Sequence, residues 1–94
     1  MKTVFITDND AVIFDRIKNN DENAFESLFK KYYKPLCRYA HTYLKDKEAS
    51  EDITQEVFIT IWNKREKITV NTSVSSYLYR SVNNLESYSL HRSN

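Results

Sequence analysis

An all-α chain, folded as a compact bundle of about four helices, is predicted by three observations. The 94 residues include no glycine and one proline, where average usage would supply about six or seven glycines. Without glycine, the tight hairpin turns of a β-rich chain are hard to build. Apolar residues recur at three- and four-residue spacing through most of the length, the signature of amphipathic helices. Short polar residues that cap helix starts precede these stretches. A chain of this size makes one small domain at most.

Residues 1–8 read as an extended lead-in. Asp8 or Asp10 caps a first helix ending near residue 19, with Val12, Ile13, Phe14 and Ile17 as its buried stripe. Asn19-Asn20-Asp21 is a polar break, and Asp21 caps a second helix running to about residue 45. This helix places Phe25, Leu28, Phe29, Tyr32, Leu36, Tyr39 and Tyr43 near one side. Pro35 interrupts it, which predicts a kink or a two-part helix. Asp46 caps a third helix over about 47–65, with Glu48, Glu51 and Asp52 near the positive end of its dipole. Residues 66–73 form the one substantial loop. Ser73 or Thr72 caps the last helix, which carries Val74, Tyr77, Leu78, Ser81, Val82 and Leu85.

Composition excludes several function classes. The formal net charge is +1, so any nucleic-acid contact must come from a local patch. Cys37 is alone, which rules out an intrachain disulfide or a cysteine-based metal site. His41 and His91 stand far apart without a ligand cluster, and no cofactor is expected. The run Val4-Phe5-Ile6 is too short for a signal peptide or a membrane span, so the cytoplasm is the expected compartment. No carboxylate pair, triad or phosphate loop appears, and catalysis is not expected.

The segment 51–62 is the most informative. At about 100° per residue, Ile53, Val57, Phe58, Ile61 and Trp62 cover one broad arc that seeks a core. Asp52, Gln55, Glu56 and Ile59 fall on the opposite arc. A solvated helix face is the ordinary reading of such an arc. An isoleucine set among short acceptors and an amide points instead to a surface that docks another protein.

The same segment carries a family resemblance. Asp-Ile-Thr-Gln-Glu-Val-Phe at 52–58, followed by Ile61-Trp62, resembles the core-binding helix of bacterial RNA polymerase sigma factors. The likeness is greatest to the small extracytoplasmic-function group. It extends over about 21–84: Asp-Glu-Asn-Ala-Phe-Glu-Ser-Leu-Phe at 21–29, Tyr32-Tyr33, Leu36, Arg38-Tyr39-Ala40, Leu44-Lys-Asp46 and Ser-Tyr-Leu-Tyr-Arg-Ser-Val-Asn-Asn at 76–84. These segments occur in family order at family-like spacing.

The resemblance implies a region 2 domain over 21–94, preceded by a first unit over 1–20. It implies that Asp52, Gln55, Glu56 and Ile59 bind the clamp helices of the polymerase β′ subunit. It further implies that the loop 66–73 and the last helix read the non-template strand of the promoter minus-ten element. Asn71, Thr72 and Ser73 would offer donors and acceptors to an extruded base, and Tyr77 a ring. Capping and loop solvation account equally well for Asn71, Thr72 and Ser73. Arg80 would contact phosphate and Asn84 a base edge or phosphate, against the plain reading of two exposed polar residues. Lys64 and Arg65, with Lys67, form a basic cluster beside the loop, where a helix C-terminus also favours cations. Lys30, Lys34 and Arg38 make a basic stripe that reads as an exposed amphipathic face. An anti-sigma factor is a further implied partner.

Two departures from the family pattern carry expectations. A complete family member has a second domain with a helix-turn-helix; the sequence here ends before one, as expected of a cut domain or a truncated product. The segment 83–91 holds Glu86 and no Lys or Arg. Fewer phosphate contacts weaken salt-sensitive affinity, so weak autonomous DNA binding is expected. This feature also favours an alternative: an interaction module that keeps the polymerase or anti-sigma surface but lacks promoter reading.

Overall fold

The structure is a computed structural model that describes residues 9–92, with side-chain surroundings for 9–86. The lead-in 1–8 and the alternative cap Asp8 lie outside the described residues. Four helices follow in order: α1 (Asn9–Lys18), α2 (Glu22–Leu44), α3 (Lys47–Asn63) and α4 (Val74–Arg92). No strand occurs among the described residues, as the composition predicts.

Helix α2 is the centre of the bundle: it packs on each of the other three, most extensively on α3. Its buried residues are Ala24, Leu28, Tyr32, Leu36 and Ala40, one every four residues. Such a row is a single ridge along the helix that fits between neighbouring ridges. The ridge passes through the Pro35 turn, and α2 runs unbroken from Glu22 to Leu44, so the two-part helix does not form. Proline supplies no N–H to the ladder, but buried residues on both sides hold the two halves to one core.

The ends of α2 are set without glycine, by a side chain at the start and by backbone at the end. The Asp21 carboxylate accepts from the Ala24 N–H at 3.1 Å. At the other end Lys45 adopts φ 55° and its N–H donates to the His41 carbonyl. Asn20, before the helix, also takes a left-handed φ of 72°, a conformation asparagine tolerates better than most residues. Two turns that would ordinarily use glycine are thus closed without it.

In α1, Phe14 and Ile17 are buried as expected, but Val12 is 53% exposed. The helix presents a narrower stripe to α2 than four apolar residues suggested. Asp10 lies inside the first turn of α1 and does not act as its cap; its carboxylate reaches across to Lys31 and Tyr32 of α2. Tyr43, placed with the α2 core by spacing, is also 53% exposed. It lies one turn beyond the last buried ridge residue and packs edge-on to Tyr39.

Helix α3 starts where Asp46 caps it, its carboxylate accepting from the Ala49 N–H at 3.0 Å. It ends at Asn63, two residues before the expected stop, and the connecting loop occupies 64–73. Ser50 and Thr54 are buried in α3 although both are polar. Each hydroxyl donates to a carbonyl four residues back, Ser50 to Asp46 at 2.7 Å and Thr54 to Ser50 at 2.9 Å. That local satisfaction lets a hydroxyl enter the core without a partner on another helix. Ser73 caps α4, accepting from the Ser76 N–H at 3.0 Å, and Val74, Leu78 and Val82 complete the core.

Candidate functional site

The two arcs of α3 separate in the structure as the sequence divides them. Ile53, Val57, Phe58 and Ile61 are buried, and Trp62 is half-buried beside them. Asp52, Gln55, Glu56 and Ile59 are all exposed. Ile59 leaves 52% of its surface in water. Exposing a large aliphatic side chain forgoes about 1 kcal/mol or more of burial. No packing need in this bundle explains its position.

The exposed arc borders an apolar groove that sequence reading missed. Phe25 and Phe29 of α2 face Phe58 and Trp62 of α3, and the groove, about 380 Å³, is closed at its rim by Gln55 and Ile59. The rings meet edge-on or tilted, with Phe25 5.1 Å from Trp62 and Phe29 5.0 Å from Phe58. The available signal was two facing pairs of aromatics, each at i, i+4. At the other edge the Gln55 amide donates to the Tyr33 hydroxyl at 3.3 Å, tying this part of the arc to α2.

The second group of sequence-predicted residues gathers at the other end of α3. Lys64 is exposed and forms the C-terminal cap of α3. Arg65 is half-buried and committed to the protein. Its Nε donates to Asn20 Oδ1 at 2.7 Å, its Nη1 donates to the Trp62 carbonyl at 2.5 Å, and its guanidinium lies 4.0 Å from the Trp62 ring centre. Asn71, Thr72 and Ser73 are exposed along the loop, and Ser73 is engaged as the α4 cap. Tyr77 is half-buried with its ring edge against Phe14 of α1, 6.1 Å between centres. Arg80 and Asn84 are exposed on α4, and their four-residue spacing puts them on one face.

Helix α1 closes one side of this loop. A cleft of about 240 Å³ opens between them, lined by Phe14, Asp15 and Lys18 from α1 and by Ile68, Val70 and Thr72 from the loop. The Lys18 ammonium donates to the Ile68 carbonyl at 2.6 Å, across 50 positions of sequence. Nothing in the spacing of α1 marks Asp15 or Lys18, because a lysine in the last turn of a helix is explained by its dipole.

Among the described residues Glu86 is the one fully buried carboxylate, 2% exposed, and its Oε2 has no hydrogen-bond partner. Burial pushes its carboxyl above the ordinary value of 4.5. Among the described residues no group of three or more His, Cys, Asp or Glu side chains is placed to hold a metal ion. No described helix is long and apolar enough to cross a membrane.

The described residues thus form a helical domain with an exposed isoleucine on α3 and a polar loop that starts with Lys64 and Arg65. Residues 28–93 match the family model for Sigma-70 region 2, and the chain belongs to that family. No curated protein and no solved structure matches it. Membership assigns the chain to transcription initiation, through RNA polymerase binding and promoter melting. The matched residues include all of α3 and the loop and leave out α1.

Proposed function

We propose that this chain is the region 2 domain of an extracytoplasmic-function sigma factor, acting in the cytoplasm. The domain comprises 21–94, with α1 belonging to the preceding unit 1–20. Asp52, Gln55, Glu56 and Ile59 dock on the clamp helices of the polymerase β′ subunit. The carboxylates meet basic side chains there, and Ile59 supplies the desolvated anchor. The observation that carries this reading is the 52% exposure of Ile59 at the rim of an aromatic groove. The same surface is the one an anti-sigma factor would cover.

In this reading the loop and α4 serve the non-template strand of the minus-ten element. Asn71, Thr72 and Ser73 offer polar groups to an extruded base and Tyr77 its ring. Lys64, Arg80 and Asn84 hold the flanking strand. Arg65 belongs to the same group but acts through its contacts to Asn20 and Trp62. The domain performs no chemistry; strand opening is driven by the binding free energy of extruded bases.

Glu56→Lys tests the docking claim. Polymerase affinity is expected to fall about tenfold or more, roughly 1.4 kcal/mol or above, with helix content by circular dichroism unchanged. Equal capture of core polymerase by the variant and the unmodified chain would remove the claim. The alternative is an interaction module without promoter reading. It is favoured by the charge of α4, where Arg80 is the only Lys or Arg from 74 to 91. Sequence-biased binding of single-stranded minus-ten oligonucleotides in the polymerase complex decides between the two.

A further inference from the structure

We infer that α1 braces the reading loop, with Lys18 as the positioning residue that holds the loop backbone through the Ile68 carbonyl. The inference rests on the proposed reading role of the loop, but its physical content is independent of DNA.

The loop 64–73 has little regular hydrogen bonding of its own, and holding such a segment in one conformation costs backbone entropy. Two long-range polar ties run from it to the α1 end of the bundle. One is the Lys18 ammonium on the Ile68 carbonyl at 2.6 Å, a charge-assisted bond to backbone. The other is Arg65 on the Asn20 side chain at 2.7 Å, 45 positions apart. Ile68 and Val70 pack against the core between and beyond these ties. The residues Asn71, Thr72 and Ser73 follow directly and stay exposed. The arrangement orders the backbone that precedes the exposed polar residues while leaving their side chains open. A backbone fixed before its ligand arrives binds that ligand with less ordering cost.

Lys18 is suited to the task because it acts on a carbonyl. Its contact does not depend on which side chain occupies position 68. Methionine at 18 keeps the aliphatic stem and removes the donor, whereas arginine keeps a charged donor.

The test uses the full chain with Lys18→Met and Lys18→Arg, and with Asn20→Gly as a second route to the same loop. Glycine suits the left-handed backbone of position 20, so Asn20→Gly removes the acceptor for Arg65 without straining the turn. Amide hydrogen exchange over 66–72 is read in the free chain. Affinity is read for the chain bound to core polymerase, using the single-stranded decamer that the unmodified complex enriches most from a random pool. Lys18→Met is expected to speed loop exchange about tenfold and weaken decamer binding about five- to tenfold, with polymerase affinity unchanged. Lys18→Arg restores both to within about twofold, and Asn20→Gly shifts both in the direction of Lys18→Met. Unchanged loop exchange in Lys18→Met and Asn20→Gly would overturn the brace. Faster exchange with unaltered decamer affinity would overturn the positioning role of Lys18, since the loop would then not need holding. Failure of the unmodified complex to enrich any sequence is a different result: it removes the reading role of the loop, while the exchange data still decide whether Lys18 orders it.

Discussion

Asp10 and Glu86 are carboxylates of the same bundle with opposite consequences for its response to pH. For Asp10, burial works against ionisation, but hydrogen bonds from Lys31 at 2.7 Å and Tyr32 at 2.5 Å, and the lysine charge, outweigh it and hold the carboxyl below its ordinary 3.8. A lowered native value means stabilisation that is complete at neutral pH. It is lost as the pH falls below 3.8 and through the native value. For Glu86, burial raises the value above 4.5, and Oε2 has no hydrogen-bond partner to offset it. Its contribution is most favourable below 4.5 and declines as the pH rises through the native value. Asp10→Asn is therefore expected to cost about 1–2 kcal/mol at pH 7, and almost nothing once Asp10 is protonated. Glu86→Gln is expected to raise stability at neutral pH and lose that advantage in acid. Urea unfolding of both variants at neutral and acidic pH checks the pair. Equal effects of each substitution at both pH values would contradict the assignment.

At the scale of elements, α3 was the most legible because its two faces obey one period. The four exposed positions and four of the five buried ones follow from spacing alone, and Asp46 stands where a cap is required. Asp46→Ala is expected to cost about 1 kcal/mol of stability while leaving polymerase affinity of the folded chain within about twofold. Thermal unfolding and a pull-down titration read the two quantities separately. Periodicity was less informative where burial depends on neighbours. Val12 and Tyr43 carry the right residue type at the right spacing, yet each leaves about half of its surface exposed. Ser50 and Thr54 fail the opposite way: polar by type, they are buried because their own helix satisfies them. Pro35 predicted a kink or a two-part helix; α2 runs as one helix through it, with buried residues on both sides.

At the scale of the whole molecule, the fold class, the element order and the exposed arc of α3 were readable from local pattern, while the surroundings of the loop were not. The Lys18–Ile68 and Arg65–Asn20 ties join residues 50 and 45 positions apart. A spacing rule operates within one helix and cannot pair a lysine with a particular distant carbonyl. The aromatic groove was similarly hidden, since it exists only when the Phe25–Phe29 and Phe58–Trp62 faces meet. The exposed arc of α3 and the loop are lined by different residues, and under the proposed function variants at Glu56 and Lys18 are therefore expected to act on different partners.

The position of Arg65 bears on how the chain would displace ions from DNA. Each cation that meets a phosphate releases condensed counterion, with a slope in log affinity against log salt of about −0.7 per contact on single strands. In the proposed reading a guanidinium held by Asn20, the Trp62 carbonyl and the Trp62 ring stays on the protein and does not move to a phosphate. Arg65→Gln should therefore weaken oligonucleotide binding at every salt concentration without altering that slope. Arg80→Gln should flatten it by about 0.7. Two arginines of equal formal charge would then be told apart by salt alone, one counted among the ions the strand gives up and the other silent.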